Sequence, residues 1–187
     1  MWPSGTPRPQ TSNLNFQAGQ NIPNLVIVPV GADGKFQLYN GSPGAVHLIA
    51  DVAGYILGGP PSTPGAVASL LPARILDTRI GQGAPGPVLS MGSISVQVTG
   101  QGGVPPTGVS AVAVNVTAAA PTAAGYITVW PSGTPRQETS NLNFQAGQNI
   151  PNLVIVPVGP DGKIQLYNGS PGTVHLIADV AGYILSG

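Results

Sequence analysis

Apolar and polar residues alternate at every second position along most of this chain, the period of half-buried strands and not the 3.6-residue period of a helix. In residues 93–99, Ile94, Val96 and Val98 alternate with Ser95 and Gln97. In 111–117, Val112, Val114 and Val116 share one face, with Ala113 and Asn115 on the other. Leu142 and Phe144 alternate with Asn141, Asn143 and Gln145, and Ile164 and Leu166 with Gln165 and Tyr167. Residues 152–158 are apolar on both faces and read as a central, fully covered strand. Gly and Pro punctuate these runs about every ten residues, as turns between short strands require. Gly159-Pro160-Asp161-Gly162 reads as a short hairpin loop, and residues 168–172 as the next reversal. The fold class is all-β.

The same pattern returns down the chain. Residues 130–187 repeat residues 2–59 at an offset of 128, differing only at Pro9/Gln137, Gln10/Glu138, Ala32/Pro160, Phe36/Ile164, Ala45/Thr173 and Gly58/Ser186. A fixed long period marks an array of modules, and this chain holds about one and a half of them. We expect a partial unit over 2–59, a linker over 60–71 where Pro, Gly, Ser and Ala run without alternation, and a complete unit over 72–187. Inside the unit, segments 93–100, 140–147 and 174–182 end alike, and each follows two strand-like segments. The implied repeat of about 42 residues predicts a pseudo-threefold unit of about 128 residues, β-prism- or β-trefoil-like, with a β-sandwich as the alternative.

One half-unit therefore has no partner half in its own chain. About ten large apolar side chains lie in residues 14–57, each worth roughly 1.5–3 kcal/mol when buried. The total, on the order of 15–30 kcal/mol, exceeds the roughly 5–15 kcal/mol that stabilises a domain. That half must be disordered, fold alone, or complement another chain. We expect pairing between chains, giving oligomers or filaments by swapping.

Charged residues make up 6% of the chain, against about 25% in a typical soluble domain. Six basic residues, thinly scattered, make no basic patch, so nucleic acid is not an expected partner. A neutral surface of Ser, Thr, Asn and Gln suits an extracellular protein or one packed in an assembly. There is no cysteine, which removes disulfides and thiolate chemistry. No apolar run approaches the roughly 18 residues of a membrane span. Met1 precedes Trp-Pro-Ser-Gly, without the basic and apolar regions of a signal peptide. It reads as a start added to an excised segment, from which a native signal peptide would be lost.

Little here points to catalysis. His47 and His175 occupy equivalent positions. His175 and Asp179 share a strand face but stand roughly 13 Å apart at 3.3 Å per residue, too far for a dyad or a shared metal. A glycosidase needs two carboxylates about one bond, and Glu138 is replaced by Gln10 in the other copy. Asp77 and Asp179 lie among apolar residues, where a carboxylate needs cationic partners. Arg74 and Arg79 are nearby in sequence, so a structural Asp–Arg network is expected. No catalytic residue, metal or cofactor is predicted. The candidate ligand-binding residues are Tyr126, Trp130 and Tyr167, with Tyr39 as the counterpart of Tyr167, and the amides of Asn141 and Asn143. Exposed aromatics flanked by amides stack sugar rings and bond their hydroxyls. Against this, strand aromatics more often pack a core, and Asn side chains often satisfy turn backbone.

Several motifs together resemble a known domain: Pro72-Ala-Arg-Ile-Leu-Asp-Thr-Arg79, Val112-Ala-Val-Asn-Val-Thr117, Gly125-Tyr-Ile-Thr-Val-Trp-Pro-Ser-Gly133, Ser140-Asn-Leu-Asn143, Asn152-Leu-Val-Ile-Val-Pro-Val158, Leu166-Tyr-Asn168 and Asp179-Val-Ala-Gly-Tyr183. The unit resembles a repeated accessory domain of secreted actinobacterial proteins, found beside peptidoglycan amidases, glycoside hydrolases and peptidases. The resemblance covers residues 70–187 and, by repetition, 2–59. It implies an extracellular or cell-surface, non-catalytic module, and carries over no site residues. The expected function is cell-surface or polysaccharide binding of a lectin-like kind, with a surface glycan as possible partner. The alternative is a structural repeat protein that self-assembles through its unpaired half.

Overall fold

A computed structural model describes residues 1–52, 54–56, 58–59 and 62–187. Ten strands and no helix occur among them: β1 (Trp2–Pro3), β2 (Phe36–Gln37), β3 (Val67–Asp77), β4 (Ser93–Gln97), β5 (Val109–Ala119), β6 (Gly125–Pro131), β7 (Leu142–Phe144), β8 (Ile150–Pro157), β9 (Lys163–Asn168) and β10 (His175–Leu185). The all-β expectation holds. Two antiparallel four-stranded sheets carry the order β3-β10-β5-β8 and β4-β9-β6-β7.

The alternation read from the sequence supplies the core. Across the first sheet Val154, Val114 and Val180 are in register. Across the second, Ile94, Leu166 and Val129 are aligned. These rows join one apolar cluster with Leu76, Val96, Ile127, Phe144, Ile164 and Leu176. Two sheets sharing one core is a sandwich-like arrangement.

The hydrogen bonding does not draw three like sheets. β3, β5 and β8, which open the three expected repeats, do share a sheet. The segments that close them do not: β4 and β7 are edges of the second sheet, whereas β10 is interior to the first. Side-chain character explains the split. β10 is apolar on both faces, with Leu176, Ala178 and Val180 fully buried and Ile177 nearly so. In β4 and β7, Ser93, Ser95 and Asn143 are exposed, as edges allow.

Three further expectations are corrected. Residues 152–158 form an edge strand, not a central one; Pro151 and Pro157 lack the N–H groups an interior strand must donate. Gly159–Gly162 makes a tight turn, with Gly162 at φ 76°, but it passes from one sheet to the other instead of closing a hairpin. The expected linker is invaded by β3, whose Val67 and Ala68 pair with Ile184 and Tyr183.

The first copy keeps only a fragment of this architecture. β1 and β2 pair Trp2 with Gln37 and Pro3 with Phe36, matching Trp130 with Gln165 and Pro131 with Ile164 in the second copy. Ser12 and Asn24 touch the outer face of the first sheet. Asn115 Nδ2 donates to the Ser12 carbonyl (2.9 Å), and Asn24 Nδ2 donates to Asn115 Oδ1 (2.9 Å). Leu153 N donates to Asn24 Oδ1 at 3.2 Å.

Candidate ligand-binding site

β6 turns Ile127 and Val129 into the core, so Tyr126, Thr128 and Trp130 point to the outer face of the second sheet. The chain then doubles back. Trp130 Nε1 donates to the Thr134 carbonyl (3.1 Å), and Thr128 Oγ1 donates to the Thr139 carbonyl. This return lays residues 132–140 over the strand, and Trp130 is left only 7% exposed. Trp130 offers no free face to a ligand; it is the anchor of its own loop.

Tyr126 and Tyr167 lie beyond the covered stretch and remain partly exposed. Their ring centroids are 6.2 Å apart at 57°, within the range of favourable tilted aromatic pairs. The Arg136 guanidinium sits 4.1 Å from the Tyr167 centroid, a cation–π distance. Tyr167 donates its hydroxyl to Met91 Sδ at 3.1 Å. Beside Tyr126 opens a shallow depression of about 300 Å³, lined by Tyr126, Arg136, Glu138, Thr139 and Ser140. Asn143, exposed, is in register with Tyr126 and accepts from Ser140 Oγ at 3.0 Å. The backbone beneath is tailored to the ring. A Cβ on Gly169 would meet three Tyr126 ring atoms at under 3.0 Å.

The other candidates separate from this group. Asn141 is structural: Oδ1 accepts from Val129 N (2.7 Å), while its carbonyl accepts from Asn152 Nδ2 (2.6 Å). Tyr39 is 61% exposed in the first copy, with Arg8 3.8 Å over its ring. It reproduces the Arg136–Tyr167 stack, but the first copy holds no counterpart of Tyr126. Of the six candidates, Tyr126, Tyr167 and Asn143 come together. Arg136, Glu138, Thr139 and Ser140 were missed, because no local pattern announces that a loop returns over its strand. The Pro131–Pro135 turn was the available signal. A larger depression of about 490 Å³ runs from Thr99 to Gly162 across the far turns; no aromatic lines it.

Asp77 and Asp179 sit elsewhere, in the expected network. Arg74 Nε and Nη2 donate to the two oxygens of Asp179 (2.9 and 3.2 Å), and Nη1 donates to Asp77 Oδ2 (3.2 Å). Arg79 donates to Asp77 from Nε (2.9 Å), Nη2 (2.7 Å) and its backbone N (3.1 Å). Hydrogen bonds from Arg79 hold the Asp77 carboxyl below the ordinary aspartate range, against the desolvation that burial imposes. Burial pushes Asp179 up, outweighing its Arg74 partner. The difference is first one of desolvation, which dominates at Asp179, whereas at Asp77 the Arg79 hydrogen bonds outweigh it; Asp77 also has two guanidinium partners and Asp179 one. His175 Nδ1 bonds Thr78 Oγ1 at 3.0 Å. Each of these groups is spent on fixing the ends of β3 and β10.

No family model matches the chain, and no curated protein matches it.

Proposed function

We propose that the protein is a non-catalytic extracellular module that binds a cell-surface or other polysaccharide through the outer face of its second sheet. The observation that carries this reading is the tilted Tyr126–Tyr167 pair beside a shallow depression. A half-exposed phenol ring supplies an apolar face for a pyranose ring. Arg136, Glu138, Thr139, Ser140 and Asn143 supply donors and acceptors for hydroxyls around it. An open depression of this kind accommodates the interior of a long glycan, which a closed pocket would not. Commitment of Asp77, Asp179 and His175 to structural bonds supports a non-enzymatic role. The resemblance to secreted actinobacterial accessory domains points the same way. The finer expectation of a prism- or trefoil-like unit remains a proposal only as a distant kinship, carried by β3, β5 and β8 sharing a sheet.

The test is binding to peptidoglycan sacculi and to a panel of immobilised glycans. Tyr126→Ala removes one stacking face, of about 1.4 kcal/mol on the scale of aromatic pairs, and is expected to weaken binding about tenfold. Tyr39→Ala, in the copy without a counterpart of Tyr126, is expected to leave it unchanged. Equal loss in both variants, or no retention on any glycan, contradicts the proposal.

A second reading, a structural repeat that associates through its surplus half, is favoured by one observation. Leu48, Ile49 and Val52 are 53%, 90% and 85% exposed, whereas their counterparts Leu176, Ile177 and Val180 are 0%, 6% and 0%.

A further inference from the structure

The two copies differ in surroundings far more than in sequence, and the difference says what the first one lacks. Where contacts are local, both copies make them. Trp2 Nε1 donates to the Thr6 carbonyl at 3.1 Å, as Trp130 does to Thr134. Thr6 Oγ1 donates to the Pro3 carbonyl at 3.0 Å, as Thr134 does to Pro131. Gly31 N and Gly159 N donate to the Lys35 and Lys163 carbonyls at 2.8 and 2.9 Å. The Arg–Tyr stack also occurs twice.

Strand pairing with residues 60–129 belongs to the second copy, whereas the described part of the first copy reaches that segment through the Ser12 and Asn24 bonds to Asn115. β8 pairs with β5, β9 with β4, and β10 with both β3 and β5. The first copy's equivalent of β10 contains no strand among its described residues. Asp51 is exposed there, while its counterpart Asp179 is buried against Arg74, again a residue of 60–129.

We infer that the first copy, chiefly its residues 47–52 and 54–56, is a docking surface for a polypeptide segment of the kind formed by residues 60–129. Such a segment brings two Val/Ala-rich strands to flank those residues on both sides, and an arginine at the place of Arg74 to meet Asp51. This rests on the second reading above, that the surplus half is an association surface, and names its partner. The stoichiometry selects that partner over simple self-exchange. Residues 1–187 hold one segment 60–129 and two halves of the kind that pairs with it, so exchange of that segment between copies of these residues moves the vacancy without removing it. The chain geometry also permits completion from within. β10 and β3 are antiparallel, with Ile184 opposite Val67, so Ile56 in the same slot would reach Val67 through the ten intervening residues.

The experiment titrates the full chain with a polypeptide of residues 60–129 and reads bound mass by sedimentation, with amide protection at residues 48–52. The expected result is one equivalent bound per chain and new protection at those amides. Val52→Asp is the discriminating variant. Val52 is exposed in the chain, so its melting midpoint should not move, yet Val180 shows that the docked position is closed to water. Binding should fall at least a hundredfold. A chain that binds no 60–129 polypeptide, or binds it equally well with Val52→Asp, overturns the inference. Self-association that persists in Val52→Asp keeps the second reading while defeating this one; a chain that neither self-associates nor binds the segment defeats both. A set of full-length variants gives an independent check. Val180→Asp should retain a folded unit completed by residues 2–59, and the Val52→Asp/Val180→Asp pair should lose it. An unfolded Val180→Asp chain, or a folded double variant, counts against the inference.

Discussion

At the scale of single residues, four of the chain's charged residues form one network that ties β3 to β10. Asp77 and Asp179 are 1% and 2% exposed, and among the described residues Arg74 and Arg79 supply the cations paired with them. The two carboxyls contribute to stability with opposite signs. Asp77 titrates lower in the folded chain than in the unfolded one, so its contribution is present above the ordinary aspartate value of about 3.9. That contribution is lost as pH falls through the depressed folded value. Asp179 titrates higher when folded, so stability falls as pH rises from the ordinary value to the raised one, and is flat beyond. Asp77→Asn should therefore cost most at neutral pH, and the gap to the parent chain should narrow as pH drops below about 3.9. Denaturant midpoints across that range check this; a gap independent of pH would contradict it. The network was legible in the sequence, because two aspartates among apolar residues demand nearby cations and only two arginines stood close.

At the scale of elements, strands were legible and their neighbours were not. The alternation in 93–99, 111–117 and 163–168 marks β4, β5 and β9 within a residue or two, since half-burial leaves a local signature. Whether a strand is edge or interior depends on partners tens of residues away. Hence 152–158 reads as central yet lies at an edge, and the candidate site was only half visible: the return of residues 132–140 buries Trp130 and delivers Arg136 to Tyr167. One glycine pair isolates what context adds. Gly169 and Gly41 occupy equivalent positions, but a Cβ on Gly169 would overlap the Tyr126 ring at under 3.0 Å, whereas the nearest atom to a Cβ on Gly41 would be Tyr39 Cε1 at 3.4 Å. Gly169→Ala is expected to cost about 1–3 kcal/mol by overpacking and to disturb Tyr126. Gly41→Ala should stay within about 0.5 kcal/mol. Equal costs would mean that Tyr126 does not lie over Gly169.

At the scale of the whole molecule, near-identical sequences take two fates because long-range pairing, not local propensity, forms the central strand. Residues 175–185 become β10 between β3 and β5; residues 47–52 and 54–56 have no such neighbours and carry no strand. The duplication could be read from the sequence. Which copy would claim residues 60–129 could not, since only six positions distinguish them. Amide hydrogen exchange tests this directly, because peptides covering 45–58 and 173–186 differ at Ala45/Thr173 and Gly58/Ser186 and can be told apart. The amides of β10 should exchange only through global unfolding, while those of residues 47–52 exchange at nearly unprotected rates. Equal protection in both copies would contradict the account.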